Sequence, residues 1–123
     1  MVTVPGFLLR RLYVKQSLKN TNEGFEFSLL NRLGSGYALR MLPITLDGCQ
    51  LPLDSAWFWM DGELTGFHEI SQCNTLTLAM NRSIVVRVVG TTLSPGAHKI
   101  GMGFEVPGLG ALSFDFTDIV ADE

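Results

Sequence analysis

Two histidines, two cysteines and twelve acids are the side chains with which this sequence could make or break bonds. His68-Glu69 opens like the helical zinc-protease motif, but Gln72 stands where the second histidine is required and strand-forming residues surround it. A tetrahedral site drawn from Cys49, Cys73, His68 and His98 shows none of the paired spacings that metal sites use, so satisfied or exposed histidines and buried free thiols are expected instead. The run Gly108-Leu109-Gly110-Ala111-Leu112-Ser113 lacks the third glycine of a dinucleotide loop and joins strand to strand, which makes it a hairpin. There is no Gly-x-Ser-x-Gly elbow, and neither histidine has an acid and a nucleophile recognisably set around it. Acids that pair across space for glycoside chemistry leave no mark in sequence, and most of these serve solubility. The expectation is a chain with no catalytic residue, metal or cofactor of its own.

The most unusual segment is Ala56-Trp57-Phe58-Trp59-Met60-Asp61-Gly62, which holds both tryptophans. On a strand Trp57 and Trp59 share one face while Phe58 and Met60 share the other. One face suits the core; the second needs a cover. Aromatic residues and methionine concentrate at interface centres, and tryptophan also stacks on sugar rings, so the functional readings are a protein partner or a carbohydrate, beside the plain one of a strand buried on both sides. Gly101 and Gly103 share one face of the run His98 to Val106 and leave a bare patch there. Glycine inside a strand is usually compensated by something packing on the backbone, from this chain or another, or else marks a bend or bulge. Trp57, Phe58, Trp59, Met60, Gly101 and Gly103 are therefore the candidate partner interface.

The elements that must position these residues are strands. Phe25, Phe27 and Leu29 alternate with Glu26 and Ser28, and Leu112, Phe114 and Phe116 alternate with Ser113, Asp115 and Thr117. Further strands are expected over Phe7 to Val14, Tyr37 to Leu46, Trp57 to Met60, Leu76 to Met80, Ile84 to Val89 and His98 to Val106. Turn residues punctuate them at Asn22-Glu23-Gly24, Asp47-Gly48, Asp61-Gly62, Ser94-Pro95-Gly96 and Pro107-Gly108. Pro43 removes a ladder donor and places its strand at an edge or at a bulge. No convincing helical stripe is seen. About eight strands predict an all-β antiparallel sandwich or flattened barrel, one domain over 1–123, with Phe27, Phe104 and Phe114 in its core.

Composition narrows the function classes. With 46% hydrophobic and 17% charged residues the chain is not a disordered one. Its positive mean hydropathy leaves more apolar side chains than a 123-residue core hides with ease. A net charge of -3, with Arg10-Arg11 the sole basic pair, argues against nucleic acid. Residues 1–40 carry +4 and residues 41–123 carry -7, which reads as a mixed solvated surface. The longest uncharged run, Ile70 to Asn81, is too short to span a bilayer, so no membrane partner is expected. The opening Met1-Val2-Thr3-Val4-Pro5-Gly6 lacks the features of a signal peptide, which predicts a cytoplasmic protein.

Four stretches taken in order, Ser17-Leu18-Lys19-Asn20-Thr21-Asn22-Glu23-Gly24-Phe25-Glu26-Phe27, Ile44-Thr45-Leu46-Asp47-Gly48, Leu93-Ser94-Pro95-Gly96-Ala97-His98 and Leu112-Ser113-Phe114-Asp115-Phe116-Thr117-Asp118, resemble the small beta subunit of the bacterial C-glycoside deglycosidases. The resemblance implies a β-sandwich accessory subunit that stabilises and shapes a TIM-barrel alpha subunit. That larger subunit would carry a divalent metal and the acid and base residues that cleave the carbon–carbon bond of 3-oxo C-glycosides. No catalytic residue is carried over to this chain, which is short for that family. Two other classes stand beside it. A stand-alone carbohydrate-binding module would stack sugars on Trp57, Trp59 or Tyr37, and a homo-oligomer would bury the same aromatics against a second copy.

Overall fold

Residues 4–121 are described by the computed structural model; the opening Met1-Val2-Thr3, part of the stretch read for a leader, lies outside them. Twelve strands among the described residues build an all-β antiparallel sandwich. They are β1 (Lys19–Asn20), β2 (Gly24–Leu30), β3 (Gly36–Ala38), β4 (Arg40–Met41), β5 (Thr45–Leu46), β6 (Cys49–Gln50), β7 (Ala56–Met60), β8 (Glu63–Gly66), β9 (Leu76–Leu78), β10 (Ser83–Val89), β11 (Ala97–Val106) and β12 (Gly110–Ile119). The first sheet runs β1-β2-β10-β7-β8. The second runs β12-β11-β5-β6, with β4 also on β11, and β3 pairs with β9 apart from both.

The period-two residues meet between the sheets. Phe25, Phe27 and Leu29 of β2 stand in register with Val88, Val86 and Ile84 of β10, and β7 adds Ala56 and Phe58 to the same buried face. From the second sheet Ile100 and Met102 of β11 and Leu112, Phe114 and Phe116 of β12 complete the core. Phe27 and Phe116 meet edge to face across the layers at 5.1 Å, and Phe58 stacks on Phe67 at 4.5 Å. Of the three phenylalanines expected inside, Phe27 and Phe114 are buried and Phe104 is half-buried at the open end of the sandwich.

The stretch from Phe7 to Val14 is not a strand. Gly6–Leu9 is a single α-helical turn, α1, which runs on into a 3-10 turn at Arg10–Leu12. Pro5 sets the start, its carbonyl accepting from the amides of Leu8 and Leu9. Leu9, Leu12 and Tyr13 are the buried residues, at helical rather than alternate spacing. Their job is to close the end of the sandwich, where Tyr13 stacks on Phe116 at 3.6 Å. Arg10 donates from Nε to the Asp115 carbonyl at 2.6 Å, occupying part of the β12 edge.

The run from Tyr37 to Leu46 breaks into β3, β4 and β5. Thr45 pairs with Gly101 and Met41 with Phe104, so four residue steps on one strand face three on β11. That extra residue is a bulge, and it contains Pro43. Both Asp-Gly turns close two-residue hairpins with positive φ at each position, 50° and 87° at Asp47-Gly48 and 52° and 83° at Asp61-Gly62. Cys49 and Cys73 are exposed free thiols, not buried ones, because each lies beside a surface turn and not on a core-facing position. No helix among the described residues is long and apolar enough to cross a membrane.

Candidate functional site

The outer face of the first sheet collects the residues that have no place inside it. One row crosses all five strands as Lys19, Glu26, Arg87, Trp57 and Gly66, and the next holds Ser28, Val85, Trp59 and Leu64. Trp59, Leu64 and Val89 are exposed large apolar side chains, and Trp57 is half-buried. Arg87 reaches from one row to the other, its guanidinium 4.9 Å over the Trp59 ring. Its Nε lies 3.5 Å from Glu26 Oε1, an ionic contact without hydrogen-bond geometry, and Lys19 Nζ lies 3.8 Å from the other oxygen of Glu26.

Trp57 is positioned by what its cross-strand neighbour lacks. A Cβ on Gly66 would meet the ring of His68 and approach the Trp57 indole at 3.2 Å. The vacant space lets His68 turn its edge to Trp57, ring centres 5.5 Å apart. The His68 turn is held in place by the Gly66 amide, which donates to Glu69 Oε2 at 2.6 Å.

The six residues singled out from sequence do not form one surface. Trp57 and Trp59 point outward together. Phe58, on the opposite face, is 2% exposed and belongs to the core, and Met60 is partly buried against that core. Gly101 and Gly103 lie in the other sheet and are covered by this chain itself, Thr45 filling the space over Gly101 and Leu42 that over Gly103. Tyr37, the third residue considered for stacking on sugars, is on β3, away from both tryptophans in the sheet order.

A second cluster was invisible in the sequence. His98 Nδ1 lies 2.7 Å from Asp47 Oδ2, and Ser94 Oγ lies 3.4 Å from His98 Nε2, so an acid and a hydroxyl do flank this histidine. The arrangement is a clamp rather than a catalytic triad. His98 Nε2 is 2.8 Å from the carbonyl of Ser94, which leaves both ring nitrogens facing acceptors. The hydrogen bond to Asp47, and after it the Ser94 carbonyl, raise the His98 pKa, and the carbonyl lies closer to Nε2 than the hydroxyl does. Asp47 in turn is held below its ordinary value by the Lys99 amide first and by His98 second. No local pattern could have found the pair, since Asp47 and His98 stand 51 residues apart.

Similar ties explain the sequence stretches that resembled the deglycosidase beta subunit. The Asn20 side chain donates to the Leu93 carbonyl at 2.9 Å and accepts from the Leu93 amide at 2.8 Å, completing a strand pair with a side chain. Ser17 accepts from the Ser28 amide, Thr21 from the Gly24 amide, and Asp118 from the Tyr13 hydroxyl and the Gln16 amide. Burial opposes the charge on Asp118, but these donors outweigh it and lower its pKa. Burial, with Asp118 beside it, raises the pKa of Tyr13. Among the described residues no three His, Cys, Asp or Glu side chains gather as metal ligands would.

No curated protein matches the chain. A family model does, over residues 8–121, and its family is not the beta subunit of the C-glycoside deglycosidases, so the resemblance drawn from strand and turn patterns is overturned. By that match the chain belongs to the family described as hydroxymethylglutaryl-CoA reductase, N-terminal domain.

Proposed function

We propose that this chain is a non-catalytic docking module, which seats a protein partner on the outer face of its first sheet. The observation that carries this reading is the grouping of Trp57, Trp59 and Arg87 on one face, residue types that dominate binding energy at interfaces. Leu64 and Val89 extend the apolar centre, while Lys19 and Glu26 give it a polar rim. A sugar-stacking platform is less well supported, because Arg87 lies over the Trp59 ring and His68 and Gly66 crowd Trp57. Membership of a family described as an N-terminal domain supports the catalytic body of a hydroxymethylglutaryl-CoA reductase as that partner.

The test is sedimentation of the chain with and without the catalytic portion of that reductase from the same source, comparing the parent with Trp59→Ala. The expected outcome is a complex that Trp59→Ala weakens about thirtyfold, the equivalent of roughly 2 kcal/mol, at an unchanged melting temperature. A parent that stays free of the reductase, dimerises instead, or binds equally well without Trp59 overturns the reading.

A further inference from the structure

The core is not filled to its end. Between the sheets, where β3 and β9 stand apart from both, lies a cavity of about 310 Å³ lined by residues from eight strands and from α1. Its depth is set by Leu29, Phe58, Ile84, Met102 and Leu112, and its outer part by Leu76 and Leu78. Protein interiors rarely leave a void larger than a water molecule, and an engineered apolar cavity of about half this volume stays dry and takes up benzene.

The lining chemistry defines the occupant. None of the lining residues is charged, and the polar ones are Asn31, Ser35 and Tyr37. Asn31 is already satisfied: its amide nitrogen donates to the carbonyls of Gly34 at 2.7 Å and Leu78 at 3.0 Å, and its oxygen accepts from the Leu33 amide at 3.1 Å. Ser35 accepts from the Met80 amide at 3.0 Å. A polar ligand group would find no unmet partner in the depth of the cavity, only at the exposed rim, where Tyr37 is 46% and Leu33 39% exposed. The rim is also open around its glycines. A Cβ on Gly34 or Gly36 would meet nothing within 4 Å, and β3 is joined to β9 alone.

We propose that this cavity is a binding site for one uncharged hydrocarbon chain, entering tail first beneath the β3–β9 pair with its polar end left at Tyr37. The site is independent of the tryptophan face, since neither Trp57 nor Trp59 lines it.

N-phenyl-1-naphthylamine, an uncharged apolar dye, is the probe. The whole chain should bind one dye molecule with a saturable, blue-shifted emission, and decanol should displace it. Ala38→Leu and Leu78→Phe, which fill the cavity from two sides, should each weaken dye binding at least tenfold, while Trp59→Ala should leave it unchanged. Decanol should also raise the melting temperature of the parent, a readout that requires no variant to fold. Absence of saturable binding, several dyes per chain, loss of binding in Trp59→Ala, folded filled variants that bind undiminished, or a melting temperature indifferent to decanol would each overturn the proposal.

Discussion

Thr45 Oγ1 occupies the space that a side chain on its cross-strand partner Gly101 would require. Its neighbour in the sheet is therefore enough to disfavour a side chain at this position. Gly101→Ala should destabilise the fold by about 1–3 kcal/mol, the ordinary range for overpacking. Removing the obstructing hydroxyl with Thr45→Ala in the same chain should recover most of that loss. Denaturant melts of the two single variants and the double variant measure the coupling, and strictly additive losses would contradict the contact.

His98 gives the stability a pH dependence whose sign follows from its two acceptors. Its folded-state pKa lies above the ordinary 6.5, so the clamp's contribution is complete below that value and fades as pH rises through the raised one. Asp47 works from the acid side. With its pKa depressed, its contribution is present above the ordinary 3.8 and is lost as pH falls through the lower value. Stability should thus hold between these limits and decline on the alkaline side in the parent, while His98→Gln removes that decline. Ser94→Ala should leave the profile alone, because the clamp uses the Ser94 carbonyl. Melting curves from pH 4 to pH 9 decide it, and an identical profile for His98→Gln refutes the assignment.

Gly66→Ala tests how Trp57 is held. A methyl group there displaces the His68 ring and presses on the indole, so the tryptophan emission should shift and binding through this face should weaken. Adding His68→Ala should relieve the first of these contacts. Unchanged emission in Gly66→Ala would mean that His68 does not set the position of Trp57.

The sheets were legible wherever one face of a strand is buried and the other wet, as in β2, β10 and β12, and the Asp-Gly turns announced their hairpins. The segment at 7–14 misled because its six apolar residues, Phe7 to Leu9 and Leu12 to Val14, fit either period, and the deciding fact, a Pro5 carbonyl accepting two helical amides, is a matter of backbone geometry. The tryptophan face was half legible. Alternation separates Trp57 and Trp59 from Phe58 and Met60, but which pair faces inward depends on Val86, which pairs with Phe58 from a strand 28 residues further on. The His98 clamp and the open end of the core depend on such long-range register too, and composition gives no sign of either.

Phe58 and Trp59 are adjacent in sequence and should behave in opposite ways. Phe58 is 2% exposed, stacks on Phe67 and lines the apolar cavity, so Phe58→Ala enlarges an existing void and should cost about 3–5 kcal/mol. Trp59 is 36% exposed on the outer face, where the Arg87 guanidinium lies over its ring. Trp59→Ala should cost at most about 1 kcal/mol of stability, the scale of an exposed cation–π contact. If the face is an interface, the same substitution should abolish most of the association that Phe58→Ala, provided it still folds, leaves intact. Arg87→Lys keeps the charge but loses the flat guanidinium over the ring, so it should weaken association with little change in melting temperature. The pair of measurements, denaturant stability and partner affinity, separates the two roles. Equal stability losses for Phe58→Ala and Trp59→Ala would place both side chains in the core and remove the basis for an interface on this strand.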